Sequence, residues 1–216
     1  MNLKERFMSC LEGKEVDYAP VGCTTTYGVV DIMKKVGAER PLADTDPQAM
    51  ATLALGYVEA GFEWCKAMGW DITAVSEVMG CTLGEPKIDL QKYIKEHPLA
   101  ENLDGLTYPD NLFEQTRFPA YKEQFRILKD KLGDDAAVFG ETEGSWTAAC
   151  NLVGTEQFMK WTFKKPDKVQ QVLDVTQEVV TDVANWAFDQ GADYYVLAEP
   201  SSGPALMSPK IWKKYV

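Results

Sequence analysis

The sequence predicts an α/β fold, and within that class a TIM (β/α)8 barrel of which the chain carries about the first half. Three observations lead there. Four short apolar runs are separated by helical stretches, each run ends in polar residues, and the last leads into a helix beginning near Ser208 as the 216 residues end. Strands separated by helices pair in parallel. A closed barrel takes roughly 250 residues and carries its chemistry on the loops at the C-terminal strand ends. The chain therefore reads as one domain over residues 1–216, the N-terminal portion of a barrel, with a helical insertion around 85–132.

Each element has a local reason. Asn2–Leu11 spaces Leu3, Phe7, Met8 and Leu11 along one helix face, and Gly13 closes it. Ala19–Thr25 reads as a buried strand entering the threonines 24–26. Val29–Val36 is a helix stopped by Gly37, and Asp46-Pro47 gives an N-cap and a first-turn proline to a helix reaching about Met68. Trp70–Val75 is the second strand, carrying Asp71, and Ser76–Gly80 turns away from it. The polar excursion that follows holds helices near Leu90–Glu96 and over Pro109–Leu132. Ala136–Gly140 is the third strand, ending in Glu141-Thr142-Glu143-Gly144. Helices then cover Thr155–Phe163 and Pro166 to about Gln190, the latter with a valine-rich face from Val169 to Val183. Tyr194–Ala198, running into Glu199-Pro200-Ser201-Ser202, is the fourth strand.

Composition narrows the function. A chain 45% hydrophobic and 25% charged can build a core, and a formal charge of −11 with no lysine or arginine cluster argues against nucleic acid. No apolar run reaches the roughly 20 residues that span a bilayer, so no membrane role is read and the cytoplasm is the expected compartment. The five cysteines show no ligand or disulfide spacing, and reduced thiols are expected. His97, the one histidine, lies in a polar stretch that reads as solvated. No metal ligands are assigned within these residues.

Carboxylates dominate the predicted strand ends, where they could bind a metal, move a proton or accept hydrogen bonds. Asp71, Glu143 and Glu199 are the candidate catalytic residues; Thr24, Thr25, Glu77, Glu141, Asn151 and Ser201 are candidate substrate contacts. Each has a structural alternative. The threonines could cap the helix that follows, Asp71 could sit in a buried salt bridge, Glu77 could pair locally, and Glu141 and Glu143 could simply flank a turn.

Four segments carry a family resemblance. KERFMSCLEGKEVDYAPVG near the start, WDITAVSEVMGCTLG at 70–84, GETEGSWTAACNLVGTEQFMKW at 140–161 and EPSSGPALMSPKIWKKYV at 199–216 together resemble the N-terminal part of the uroporphyrinogen decarboxylase superfamily. They resemble in particular its cobamide-dependent branch, which includes coenzyme M methyltransferases. The decarboxylases hold their substrate's carboxylates with an arginine-rich loop after the first strand, where this chain has CTTTYG. Their active-site tyrosine matches Asn151, while the aspartate of their second-strand motif is kept as Asp71.

The methyltransferase resemblance implies a corrinoid carried on a partner protein, a small-molecule acceptor such as coenzyme M or tetrahydrofolate, and a zinc ion that activates the thiol. The implied zinc ligands, a His-x-Cys pair and a later cysteine, lie beyond Val216. The rivals are a decarboxylase and a non-catalytic half-barrel that binds a corrinoid protein, pairs with a second half-barrel or forms a homo-oligomer. Two structural expectations follow. Thr25, Asp71, Glu143 and Glu199 should face one cavity, and the strands at Ala19–Thr25 and Tyr194–Ala198 should be exposed edges beside a valine face short of partners.

Overall fold

The computed structural model describes residues 1–23 and 29–216. Helix α1 (Leu3–Leu11) opens with a capping box: the Glu5 amide donates to Asn2 Oδ1 and the Asn2 amide to Glu5 Oε2. Helix α2 (Val30–Val36) ends at Gly37 in the left-handed region. Helix α3 (Pro47–Glu59) starts on an Asp46 cap. Strand β1 (Trp64–Lys66) follows, then the short helix α4 (Ala74–Val78) and an antiparallel hairpin of β2 (Thr82–Gly84) with β3 (Tyr93–Glu96). Helix α5 (Phe118–Leu132), strand β4 (Ala137–Glu143) and helices α6 (Ser145–Val153), α7 (Thr155–Lys164) and α8 (Pro166–Asp189) come next. Strand β5 (Tyr194–Ala198) and helix α9 (Pro209–Tyr215) complete the order.

The main sheet runs β1-β4-β5, and both pairings are parallel. Side chains alternate across a strand, so the sheet has two distinct faces. Trp64, Ala137 and Phe139 share one face with Tyr194 and Val196, and Phe7 of α1 packs into them, its ring 4.3 Å from Trp64 and 4.8 Å from Tyr194. This is the inner face of the barrel arc, plugged by α1 where the strands begin. Cys65, Val138 and Tyr195 point the other way, into the main core under α3, α5 and α8. Salt bridges fasten the plug: Lys4 reaches Asp193 at 2.7 Å, and Arg6 reaches Glu63 at 2.9 Å.

Several expectations need correction. The helix expected to reach Met68 stops at Glu59, because Gly61 turns the chain at a φ of +100° and Glu63 to Lys66 run beside the preceding segment, where the Glu63 amide donates to the Val21 carbonyl. The second strand is therefore Trp64–Lys66, and Trp70–Val75 is instead the loop that enters α4. Residues 19–23 form no assigned strand, although Cys23 O accepts from the Trp64 indole; the rest of the predicted first strand lies outside the described residues.

The segment 90–96 is half of a hairpin and not a helix. The predicted helix over Pro109–Leu132 is a 3-10 turn at Leu112–Glu114, a left-handed Thr116 at φ +50° and then α5. β4 continues through Glu143, so Glu141 and Glu143 are strand residues and not a turn. The valine face of α8 is satisfied: Val169, Val172, Val179 and Val183 are wholly buried against α5, α6 and the sheet side of the core. β5 is an edge, with Leu197 half exposed.

Candidate functional site

Above the aromatic floor the inner face turns polar. Lys66 ends β1, and Glu141 stands one step beyond Phe139, Lys66's register partner, on the same face of β4. Both are wholly buried. Lys66 Nζ lies 2.7 Å from Glu141 Oε2 in an ion pair whose approach is off the hydrogen-bond line, and it donates to the Asp71 carbonyl at 3.0 Å. Glu141 Oε1 has no donor among the described residues. A lone buried charge would cost several kcal/mol, so each of these two side chains makes the other tolerable.

Glu143 follows two residues on, about 7 Å along the strand. Its Oε1 accepts from the Ser76 amide at 2.8 Å in the first turn of α4, and its Oε2 has no donor among the described residues. Burial pushes its carboxyl up to about 7, more than the hydrogen bonds from Ser76 pull it down. Ser76 Oγ in turn accepts from Asn151 Nδ2 at 3.0 Å. The Asn151 carbonyl takes the Cys81 thiol at 3.4 Å and His97 Nδ1 at 2.5 Å, so His97, though exposed, is bonded through a protonated Nδ1 and ties the hairpin to α6. Among the candidates from sequence, Glu141, Glu143 and Asn151 are thus brought together.

Asp71 and Glu77 belong to a second group that sequence reasoning missed, organised by Arg117 at the start of α5. Arg117 Nη1 meets Asp71 Oδ2 at 2.6 Å, Nη2 meets Oδ1 and Thr73 Oγ1 at 3.2 Å, and Nε meets Glu77 Oε2 at 2.6 Å. Burial alone would raise the Asp71 carboxyl. The guanidinium and the Thr73 donors override it and hold Asp71 well below the usual range. Asp71 is a salt-bridge residue in this structure, and Glu77 pairs with the same arginine, 40 residues away. Arg117 lies too far along the sequence for any local pattern to link it with them. Lys66 offered a clearer signal, a lysine inside the apolar stretch from Trp64 to Met68.

Glu199 forms a third group. It accepts from the Trp146 and Thr147 amides at 3.0 and 2.9 Å and from Thr147 Oγ1 at 2.7 Å, which makes it the cap that the glycine N-cap of α6 cannot supply. Ser201 joins through its backbone, receiving the Trp146 indole at 3.1 Å. Among the described residues, Asp71, Glu143 and Glu199 are thus held by three separate groups. Glu199 borders a cleft of about 490 Å³ between α8, β5 and α9 that neither Asp71 nor Glu143 lines. Thr24 and Thr25 lie outside the described residues. The cap explains Gly144: a Cβ there would collide with Glu199 Oε1. Gly144→Ala is expected to displace the carboxylate and destabilise the fold by about 2 kcal/mol, the loss of a strong cap plus strain; chemical denaturation measures it, and an unchanged midpoint would refute the cap.

No three His, Cys, Asp or Glu side chains among the described residues converge to hold a metal ion. Burial raises the thiols of Cys65, Cys81 and Cys150 to about 12 each, the wrong direction for a metal thiolate. The residues present do not fit a zinc ion. No described helix is long and apolar enough to cross a membrane.

Comparison with known proteins places this geometry. The uroporphyrinogen decarboxylase (URO-D) family matches over residues 2–216. The chain belongs to the uroporphyrinogen decarboxylase family. It is 37% identical over 214 residues to the methylcobamide:CoM methyltransferase MtaA of Methanosarcina barkeri, a match covering 99% of the chain and 63% of that protein. It is 29% identical over 214 residues to the methylcobamide:CoM methyltransferase MtbA of Methanosarcina mazei, covering 98% of the chain and 62% of that protein. The solved structure of a methyltransferase from Methanosarcina mazei superposes with a TM-score of 0.95 at 35% identity, covering all of this chain and 64% of that one. The chain spans a little under two thirds of the length of these relatives. Its three parallel strands are an arc of the family's TIM barrel.

Proposed function

We propose that the protein is an enzyme that moves a methyl group between a methylated corrinoid, carried on a partner protein, and a small acceptor, a thiol such as coenzyme M or else tetrahydrofolate. Relatives that it matches at 37% and 29% identity are methylcobamide:CoM methyltransferases. The observation that favours this over decarboxylation is the inward pair Glu141 and Glu143, each with a buried carboxylate oxygen that no donor among the described residues reaches. With Lys66 already matched to Glu141, this pair offers a polycarboxylate tetrapyrrole no free cation, and the net charge of −11 disfavours its approach. A single thiol makes no such demand.

In the transfer to a thiol, the S–H proton leaves, sulfur attacks the methyl carbon, and the cobalt–carbon bond breaks with its electron pair returning to cobalt. Glu143 is the group proposed to hold the thiol proton, since a carboxyl titrating near neutrality can both take and return one. Ser76 and Asn151 orient it. Lys66 and Glu141 form the floor beneath it, with Thr24 and Thr25 as further substrate contacts. Asp71, Glu77, Glu199 and Ser201 are positioning residues that fix the loops around it. Zinc finds no ligand set among the described residues, and no step is assigned to it.

The test is demethylation of free methylcobalamin by coenzyme M, with Zn²⁺ in the assay, followed by the corrinoid absorbance. Turnover is expected, with Glu143→Gln slower by about 100-fold, within the range that general acid–base groups contribute. Turnover that Glu143→Gln leaves unchanged would remove Glu143 from the chemistry. Corrinoid protein binding without any turnover would favour a non-catalytic half-barrel.

A further inference from the structure

Residues 160–168 carry four lysines, the local basic cluster that the overall charge of −11 hides, and the fold keeps them on one rim. Lys160 and Lys164 stand four residues apart on α7 and so share a face, and the turn at Lys165-Pro166 brings Lys165 and Lys168 over the Trp161 ring at 5.7 and 5.4 Å. Lys160, Lys164 and Lys165 are exposed, and among the described residues only Lys160 of these three has a carboxylate partner, Glu156 at 2.5 Å. Phe163 sits among them at 78% exposure, the most exposed large apolar side chain described. The buried face of α7, Phe158, Trp161 and Thr162, lies on the opposite side, so Phe163 contributes nothing to the core.

Two features set this cluster apart from ordinary surface lysines. The first is position. Thr176 Oγ1 bonds the Ser145 carbonyl just past the end of β4, and the α7–α8 junction lies ten residues earlier on α8, about 15 Å further along a helix rising 1.5 Å per residue. The lysines therefore overhang the C-terminal strand ends, the face that carries chemistry in this fold. The second is orientation. Lys165 and Lys168 occupy the N-cap and first turn of α8, where the helix dipole disfavours cations. Helix stability does not explain them.

We propose that this rim, Lys160, Phe163, Lys164, Lys165 and Lys168, docks an acidic face of the corrinoid-carrying protein, with Phe163 entering an apolar recess at the centre of the contact. The partner's identity rests on the methyl-transfer reading above; the acidic chemistry of the surface it presents rests on the rim alone. An exposed aromatic ringed by lysines has the composition of an interface centre with a steering rim. A lone phenylalanine on a body of charge −11 does not suit an anionic membrane, and four lysines on one rim are too short a track for nucleic acid.

The experiment uses the full chain and the methylated corrinoid protein purified from Methanosarcina barkeri, with free methylcobalamin as the partner-independent substrate. Binding is expected to weaken as salt is raised. The K164E/K165E/K168E variant should bind the corrinoid protein at least tenfold more weakly and Phe163→Ser severalfold more weakly, while both keep the wild-type rate with free methylcobalamin. The charge reversal should melt no lower than wild type, since it places acids at the start of α8. Equal affinity in the reversed variant overturns the proposal and leaves the methyl-transfer reading standing. Corrinoid protein binding that depends on the rim without methyl transfer leaves the rim and removes that reading. Tighter binding of wild type to heparin or to phosphatidylglycerol vesicles than to the corrinoid protein overturns the proposal in favour of a general polyanion surface.

Discussion

Arg117→Ala is expected to destabilise the protein by about 4 kcal/mol, among the largest effects of any single substitution outside the main core. The residue removed is the cation that stabilises Asp71 as an ion inside the fold, and the same guanidinium holds Glu77 and Thr73. Truncation leaves a buried carboxylate with only the two Thr73 donors. Two companions separate charge from packing. Arg117→Lys keeps the charge but loses the fork that reaches three side chains at once, and should recover less than half of the loss. The double substitution Arg117→Met with Asp71→Asn removes both charges and should recover most of it, because a buried pair replaced as a pair costs little. Urea midpoints of the four proteins test this. A single substitution costing under about 1 kcal/mol would show that the network is a surface-like pair after all.

The second large effect is a pH dependence set by Glu143. Its folded carboxyl titrates at about 7, above the ordinary glutamate value of 4.5 that it regains on unfolding. Between those values the folded state holds a proton that the unfolded state has released, so stability falls as pH rises from about 4.5 to 7, by about 3 kcal/mol from this group. Glu143→Gln cannot ionise. It should remove that slope, being more stable than wild type at pH 8 and no more stable at pH 5. Parallel stability curves for the two proteins across that window would mean that Glu143 titrates normally and that its orphan oxygen is hydrated.

Much of the fold was legible wherever local chemistry and tertiary context agreed. β5 is an apolar run bounded by Asp193 and by Glu199-Pro200, and α8 carries its valines at helical spacing, so both were read within a residue or two. β1 was hidden because a buried lysine at position 66 makes the stretch after Phe62 look like the solvent face of a continuing helix. Two acids likewise disguised the last third of β4 as a turn, although both are buried and one is neutralised by that same Lys66. The carboxylates near the strand ends were legible, since ionisable residues there stand out in any sequence. Their roles could not be sorted: what separates Glu143 from Asp71 is Arg117, which comes from a helix remote in sequence, and what separates it from Glu199 is the start of α6, which only the folded chain sets against that carboxylate.

The α1 plug carries a consequence for how the molecule forms. Phe7 is held by residues that lie far apart in sequence, and Lys4 closes onto Asp193. Closing a loop of that length is entropically costly, and its contacts repay the cost only after β1, β4 and β5 already lie side by side. Although α1 precedes β1, β4 and β5 in the chain, it is therefore among the last elements to find its place. Until then the inner face stands open at both ends, and the aromatic floor that later supports the carboxylates is the surface most exposed to misassembly.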